Sequence, residues 1–103
     1  MEQTTFGRTG HTVSRLGFGG APAGLTNYLD SYSPGDVDQR DQVIAALQRA
    51  VELGVTYFDT APGYGSGASE AIFGEALAAT GREIFIATKI NRDEQNVRQS
   101  IEA

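Results

Sequence analysis

The stretch "VTYFDTAPGYGSGASE", residues 55–70, contains the transition from a strand through a loop to a helix on which the fold prediction rests. An apolar run ends in Asp59, a glycine-rich loop that carries Tyr64 follows, and a helix is predicted to begin near Ser69. The loop allows three interpretations: it wraps a phosphate, it holds a catalytic tyrosine, or it is an ordinary turn.

Strands and helices alternate on both sides of this stretch. The helix before it, in "QRDQVIAALQRAVELG", has one apolar face made of Val43, Leu47, Ala50 and Val51, with Ile44 beside it. The helix after it, from Ser69 to about Ala79, turns four apolar side chains inward: Ile72, Phe73, Ala76 and Leu77. The strand "EIFIATK" and a third helix, "DEQNVRQSIEA" with Asp93 as its cap, complete the pattern. Such alternation predicts an α/β fold with a parallel sheet, and the apolar run "EIFIAT" predicts a strand covered on both faces.

The residues before these elements predict a hairpin and a long loop. Residues 1–14 form the hairpin, and residues 15–20 form the first strand of the parallel sheet. Residues 21–38 are rich in Pro, Gly, Ser and Asp and are predicted to form one long loop. Asp36 or Asp38 is the predicted cap of the helix that follows.

Charged and small residues lie where the three predicted parallel strands end. The first strand ends in Gly19 and Gly20, the second in Asp59 and the third in Lys89. Because the carboxyl ends of parallel strands share one edge of the sheet, where ligands bind, these residues should meet there. Tyr64 should lie just above Asp59.

A tyrosine, a lysine and an aspartate together can transfer a proton. A free tyrosine has a pKa of about 10, which makes it a poor proton donor at neutral pH. A nearby ammonium favours the tyrosinate and lowers that pKa, and a carboxylate beside the lysine orients it and keeps it charged. Tyr64, Lys89 and Asp59 are therefore a workable general acid/base for a carbonyl that receives a hydride.

Each of these three residues also has an ordinary structural role. Asp59 can cap the following turn, Tyr64 can be an aromatic side chain at the rim, and Lys89 can be a solvated strand end. The meeting of all three at one sheet edge favours a functional site over three separate structural roles.

Residues 63–68 match G-x-G-x-x-A, a nucleotide-binding pattern. In a dinucleotide fold this motif follows the strand directly, and an acidic residue about 20 residues on binds the ribose. Here residues 60–62 intervene, Pro62 has no N–H to donate, and Glu83 begins its strand at the opposite edge. The phosphate interpretation is therefore disfavoured. The start of the helix could hold an anion, but we favour a structural loop in which Ser69 caps the helix.

The composition excludes several classes of function. The 103 residues carry a net charge of −5 at a pI of about 4.6, and an acidic surface repels nucleic acid. The sequence has no cysteine, which excludes disulfides and fits the cytoplasm. It has no apolar segment of membrane-spanning length, and its first ten residues, "MEQTTFGRTG", have no apolar core like that of a signal peptide, so no membrane partner is expected. His11 is predicted to lie in the hairpin, and no residue spacing indicates a metal site.

Three motifs resemble a known family. "FGRTGHTVSRLGFGG", "GVTYFDTAPGYGSGASEAIFGEAL" and "IFIATK" are similar to the N-terminal part of the aldo-keto reductases, in particular their bacterial-type members. The resemblance implies a (β/α)8 TIM barrel entered through an N-terminal hairpin. It also implies an NAD(P)H-dependent oxidoreductase that uses NADP(H), with NAD(H) as the alternative, and that reduces aldehyde, ketone or sugar carbonyls.

The resemblance also assigns roles to particular residues. Asp59, Tyr64 and Lys89 resemble three members of the family's catalytic group, with Tyr64 as the proton donor. Gly20 and Ala21 fall where the family's first strand approaches the nicotinamide ribose. Asp59 resembles a ribose contact as well, so it is both a catalytic and a cofactor-binding candidate.

The length predicts only part of such a barrel. Eight units take about 250 residues, so residues 1–103 supply the hairpin and about three units. In the family, a histidine on the fourth strand and most of the cofactor site come later. We therefore expect an incomplete barrel that is inactive alone and associates with the remaining part of the barrel or with a second copy. The alternative is a non-catalytic binding or regulatory module on the same scaffold.

Overall fold

Five short strands form two sheets in the computed structural model, which describes residues 1–90 and 97–102. The first two strands pair antiparallel and confirm the hairpin: β1 (Gln3–Thr5) and β2 (Thr12–Ser14). The other three pair in parallel and in chain order: β3 (Gly17–Gly19), β4 (Tyr57–Asp59) and β5 (Phe85–Ala87). The predicted α/β architecture with a parallel sheet is confirmed.

Four helices accompany the strands in this part of the chain: α1 (Ala21–Gly24), α2 (Val37–Glu52), α3 (Ala68–Ala78) and α4 (Val97–Glu102). Asp93, the predicted cap of the last helix, lies outside the described residues. The structure differs from the predicted loop over 21–38 at both of its ends. At its start, Pro22 lies in the first turn of α1, where a missing N–H costs nothing. At its end, Asp36 caps α2 by accepting a hydrogen bond of 3.0 Å from the Gln39 N–H.

The core lies between the helices and one face of the parallel sheet, and it confirms the predicted helix faces. Leu47 and Val51 of α2 are buried, and the other residues of that face pack against the core: Val43, Ile44 and Ala50. All four predicted residues of α3 are buried. At the centre, the fully buried ring of Phe58 meets the ring of Phe73 edge-on, with centroids 6.2 Å apart. Burying side chains of this size stabilises the fold by about 1.5–3 kcal/mol each.

Side chains alternate between the two faces of the parallel sheet. Phe18, Phe58 and Ile86 are register partners on the face that the helices cover. Ile86 is nevertheless 47% exposed, so the prediction that this strand is covered on both faces is wrong. The physical reason is position: β5 is an edge of the described sheet, and the described part of α4 buries no residue.

An aromatic cluster, defined by the rings of Phe6, Tyr57 and Phe85, lies at the amino end of the parallel sheet. The centroid of Phe6, which follows β1 in the hairpin, is 4.9 Å from that of Phe85 and 5.6 Å from that of Tyr57. Tyr57 and Phe85 stack at 5.5 Å. The hairpin is thus attached to the sheet through ring contacts, which contribute beyond their buried area.

Two buried or half-buried hydroxyls reinforce this attachment. The Ser14 N–H donates to Thr56 Oγ1 at 2.8 Å, and the Thr56 N–H donates to Ser14 Oγ at 2.9 Å. Two backbone donors that the ladders leave free are satisfied in this way, as buried backbone groups require.

Candidate active site

The carboxyl ends of β4 and β5 bring Lys89 and Asp59 into contact. Lys89 Nζ donates to Asp59 Oδ1 at 3.0 Å and Oδ2 at 3.2 Å, and to the Thr60 carbonyl oxygen at 2.8 Å. Asp59 is the last residue of β4, and Lys89 lies two residues beyond β5, so strand register places both at the same edge. Three acceptors match the three donors of an ammonium group.

Tyr64 lies beside this ion pair. Lys89 Nζ is 5.0 Å from the centre of the Tyr64 ring, which is within cation–π range. The ring is half-buried, whereas the Lys89 and Asp59 side chains are 48% and 37% exposed. The structure thus brings the three predicted residues together at one partly open edge.

The surroundings of Lys89 favour its charged form. Burial alone lowers the pKa of an ammonium, but the hydrogen bonds and charge interactions with Asp59 and Tyr64 outweigh it, so the pKa of Lys89 is raised above 10.5. Lys89 therefore carries a positive charge at neutral pH, next to the tyrosine.

The glycine-rich loop before α3 uses its own N–H groups. The amide groups of residues 67, 68 and 69 donate to the carbonyls of Pro62, Gly65 and Tyr64. These N–H groups would otherwise face an anion at the helix start. The loop is therefore a tight structural turn, and these N–H groups are already hydrogen-bonded within it.

Ser69 does not cap α3, contrary to the sequence-based interpretation. Gly67 occupies the cap position with a φ of +92°, and no side chain caps the helix. Ser69 instead lies one residue inside the helix, fully buried, and its hydroxyl is 2.7 Å from Thr60 Oγ1. The left-handed cap turns the chain so that position 69 faces β4, not the helix terminus.

The Tyr64 loop rests on α1 through two glycines. A Cβ atom at Gly24 would overlap the carbonyl oxygen of Tyr64, and one at Gly65 would overlap the carbonyl oxygen of Gly24. Gly65 also has a φ of +77°, which side-chain-bearing residues rarely adopt. The two backbones therefore touch directly, and this contact fixes the height of Tyr64 above the sheet.

Gly20 and Ala21, the predicted cofactor contacts, lie at the end of β3. Gly20 is buried, and a Cβ atom there would approach the Asp59 carbonyl oxygen and Ser69 Oγ to 2.6 Å. Ala21 is half-buried and begins α1. In the same layer Gly19 is the register partner of Asp59, and a Cβ atom at Gly19 would meet nothing within 4 Å. The space beside Asp59 on this face is therefore open.

The sequence did not predict four groups that support the candidate site: the carbonyl of Thr60, the hydroxyl of Ser69 in this position, and the glycines at 24 and 65. No local pattern marks a carbonyl as an acceptor, and the contact between the glycines joins two loops far apart in sequence. Glu70 was missed as well; its carboxylate accepts a 2.7 Å hydrogen bond from Thr88, next to Lys89.

The remaining candidates lie elsewhere. His11 is exposed in the hairpin, with its ring 5.7 Å from that of Phe85 at the opposite end of the sheet. Within residues 1–90 and 97–102, no group of three or more acidic or histidine side chains could hold a metal ion. In the same residues no helix combines the length and apolarity that crossing a bilayer requires.

Several known proteins are similar to this chain in sequence and in fold. The chain is 37% identical over 97 residues to pyridoxal 4-dehydrogenase from Microbacterium luteolum. The aligned region covers 94% of this chain and 26% of that protein. It is 33% identical over 112 residues to L-galactose dehydrogenase from Arabidopsis thaliana, and that alignment covers 99% of this chain and 33% of that protein. Among solved structures, the holo form of the aldo-keto reductase AKR11C1 from Bacillus halodurans superimposes with a TM-score of 0.68 at 31% identity, over 93% of this chain and 28% of that one.

The chain covers only part of each of these proteins. The chain spans about a quarter to a third of the curated relatives that it matches. The sequence profile of the aldo/keto reductase family matches residues 15–103, which include all three strands of the parallel sheet. The chain therefore belongs to the aldo/keto reductase family.

Proposed function

We propose that this chain supplies the proton-transfer part of the active site of an NAD(P)-dependent carbonyl oxidoreductase. The observation that carries the proposal is the placement of Lys89 Nζ, bonded to both Asp59 oxygens and 5.0 Å from the Tyr64 ring centre. Family membership supports the reaction class. The chemistry of the three side chains supports proton transfer to an oxygen atom.

Each residue has a distinct proposed role. Tyr64 gives its hydroxyl proton to the carbonyl oxygen during reduction, and takes it back during oxidation. Lys89 stabilises the negative charge that develops on the Tyr64 oxygen, and Asp59 keeps Lys89 oriented and charged. An electrostatic arrangement prepared in advance is the largest source of rate enhancement in many enzymes.

The residues present fit a nicotinamide cofactor. Its chemistry when bound is hydride transfer, and we propose NADP(H), with NAD(H) as the alternative. Gly20, Ala21 and Asp59 would hold the nicotinamide ribose. Support comes from the open space at Gly19 beside Asp59, where a Cβ atom would meet nothing within 4 Å. The space suits a flat ring against the end of the sheet.

We propose an aldehyde, ketone or sugar carbonyl as the substrate class. Two relatives carry names that refer to pyridoxal and L-galactose. The activity is proposed for a barrel that contains these residues. Residues 1–103 alone are proposed to be inactive, since a full set of eight strands builds the family's active site.

The test of the proposed function replaces Tyr64 by Phe in a complete barrel that contains this chain. Reduction should fall by a factor of about 10²–10⁴, because a general acid contributes that much, while cofactor affinity is unchanged. Steady-state kinetics and a cofactor fluorescence titration measure the two quantities. Tyr28→Phe is the matched control, since Tyr28 is an exposed tyrosine of the loop after α1. Near-normal turnover by Tyr64→Phe would overturn the proposal.

The second candidate is a non-catalytic binding module. It is favoured by the exposed apolar side chains near both edges of the described sheet, Leu16 before β3 and Ile86 in β5. Such surfaces accept a partner strand or helix, here the rest of a barrel or a second copy. Cofactor titration and activity assay of a complete barrel that contains this chain separate the candidates: a barrel that binds a partner protein but neither binds NADPH nor reduces a carbonyl favours the module.

A further inference from the structure

Lys89 has one hydrogen-bond acceptor that does not belong to a side chain. The Thr60 carbonyl oxygen, 2.8 Å from Nζ, is the shortest of its three contacts. Because β4 ends at Asp59, the carbonyl of Thr60 lies just beyond the strand. Something other than the β4 strand has to hold that peptide group in the orientation that Lys89 requires.

Two contacts hold Thr60. Its N–H donates to the Ala87 carbonyl at 2.9 Å, which anchors the nitrogen side of the residue to β5. Its hydroxyl lies 2.7 Å from Ser69 Oγ, which anchors the side chain to α3. Thr60 is 3% exposed and Ser69 is fully buried, so water does not compete for this bond.

The identity of Ser69 is informative because the helix does not require it. Serine forms helices less well than alanine, and burying a hydroxyl carries a cost unless it is hydrogen-bonded. The Ser69 hydroxyl does not cap α3. A buried serine here gives the helix nothing that alanine would not, except the bond to Thr60.

We propose that Thr60 and Ser69 are positioning residues for Lys89: the bond between their buried hydroxyls fixes the Thr60 carbonyl that accepts from the ammonium group. This inference rests on the proposed function of Lys89. It extends the site from three side chains to five and connects α3 to the proton-transfer group.

The test uses Thr60→Val, which keeps the side-chain shape and removes the hydroxyl, in a complete barrel that contains this chain. We expect kcat for carbonyl reduction to fall about tenfold, the scale of one hydrogen bond to a charged group. The pKa of Lys89, followed by NMR of its labelled side chain, should decrease. Thr60→Ser keeps the hydroxyl and should restore both values.

Ser69→Ala provides an independent variant, and we expect it to fold because alanine favours the helix. It should reproduce the effects of Thr60→Val, and the double variant should add little to either one. Ser14→Ala is the matched control: Ser14 is 4% exposed and bonded to Thr56 at the other end of the sheet. That variant should lose thermal stability and leave the Lys89 titration unchanged.

Two outcomes separate this inference from the proposed function. If Thr60→Val and Ser69→Ala lower only the melting temperature, and leave kcat, its pH profile and the Lys89 titration as in the wild type, the positioning role is overturned. If Tyr64→Phe retains activity, the proposed function fails, whereas the Lys89 titration still decides whether the hydroxyl pair positions the ammonium.

Discussion

The two ends of the parallel sheet differ in the side chains that they carry. At the carboxyl end, polar groups meet in pairs: Lys89 with Asp59, and Thr60 with Ser69. At the amino end, the aromatic cluster closes the sheet against the hairpin with ring centroids 4.9–5.6 Å apart. Polar pairs depend on exact placement, whereas rings tolerate small shifts. This difference is compatible with the proposed function, in which the carboxyl end carries the chemistry and the amino end contributes stability.

The backbone contact at the carboxyl end should show the largest effect. Gly24→Ala places a Cβ atom on the Tyr64 carbonyl oxygen, and a backbone neighbour cannot move aside as a side chain can. We expect a loss of stability above about 3 kcal/mol, or no folded protein, by thermal unfolding followed by circular dichroism. Gly63→Ala is the control, since a Cβ atom there meets nothing within 4 Å. Equal melting temperatures for the two variants would show that the contact is not tight.

The aromatic cluster should show an intermediate effect confined to stability. Phe6→Ala removes a ring that is 39% exposed, so we expect about 2 kcal/mol, below the cost of a fully buried phenylalanine. Urea unfolding measures this loss, and the Lys89 titration should not change. Leu16→Ala, at a side chain that is 61% exposed, is the control with a small expected loss. A shifted Lys89 titration in Phe6→Ala would show that the two ends are coupled.

The ion pair at the carboxyl end should show the smallest effect on stability, visible through pH. The folded-state pKa of Lys89 is raised, so its contribution is fully present below pH 10.5 and is lost as pH rises through the folded-state pKa. Because both side chains are more than one third exposed, we expect less than about 1 kcal/mol. Urea unfolding of wild type and Lys89→Met at pH 8 and pH 11.5 measures it. A difference between the two proteins that is the same at both pH values would contradict the assignment.

The elements that sequence alone predicted well are those with a repeated pattern. The buried residues of α3 follow from helical spacing, and the meeting of Asp59 with Lys89 follows from the shared edge of parallel strands. Both inferences need only the local period and one topological rule. The roles of these residues in catalysis stay predictions.

The features that sequence did not predict depend on contacts between distant segments. The prediction that Ser69 caps α3 is wrong because Gly67, in the left-handed conformation, occupies the cap position. Ser69 therefore lies inside the helix, where its hydroxyl meets that of Thr60. α1 was missed because four residues are too few for a periodic signal, although Pro22 marks its first turn. The exposure of Ile86 depends on its place at the sheet edge, which a strand's own sequence does not encode.

The direct contact between Gly24 and Gly65 has a practical consequence for protein engineering. Substrate preference in barrels is commonly altered by grafting loops from one relative to another, since functional residues concentrate on loops. Here the segments after β3 and β4 meet backbone to backbone at Gly24 and Gly65, so a donor segment with a larger residue at either position would displace the other segment. The two segments should therefore be exchanged together, and a graft that includes Tyr64 should also include α1.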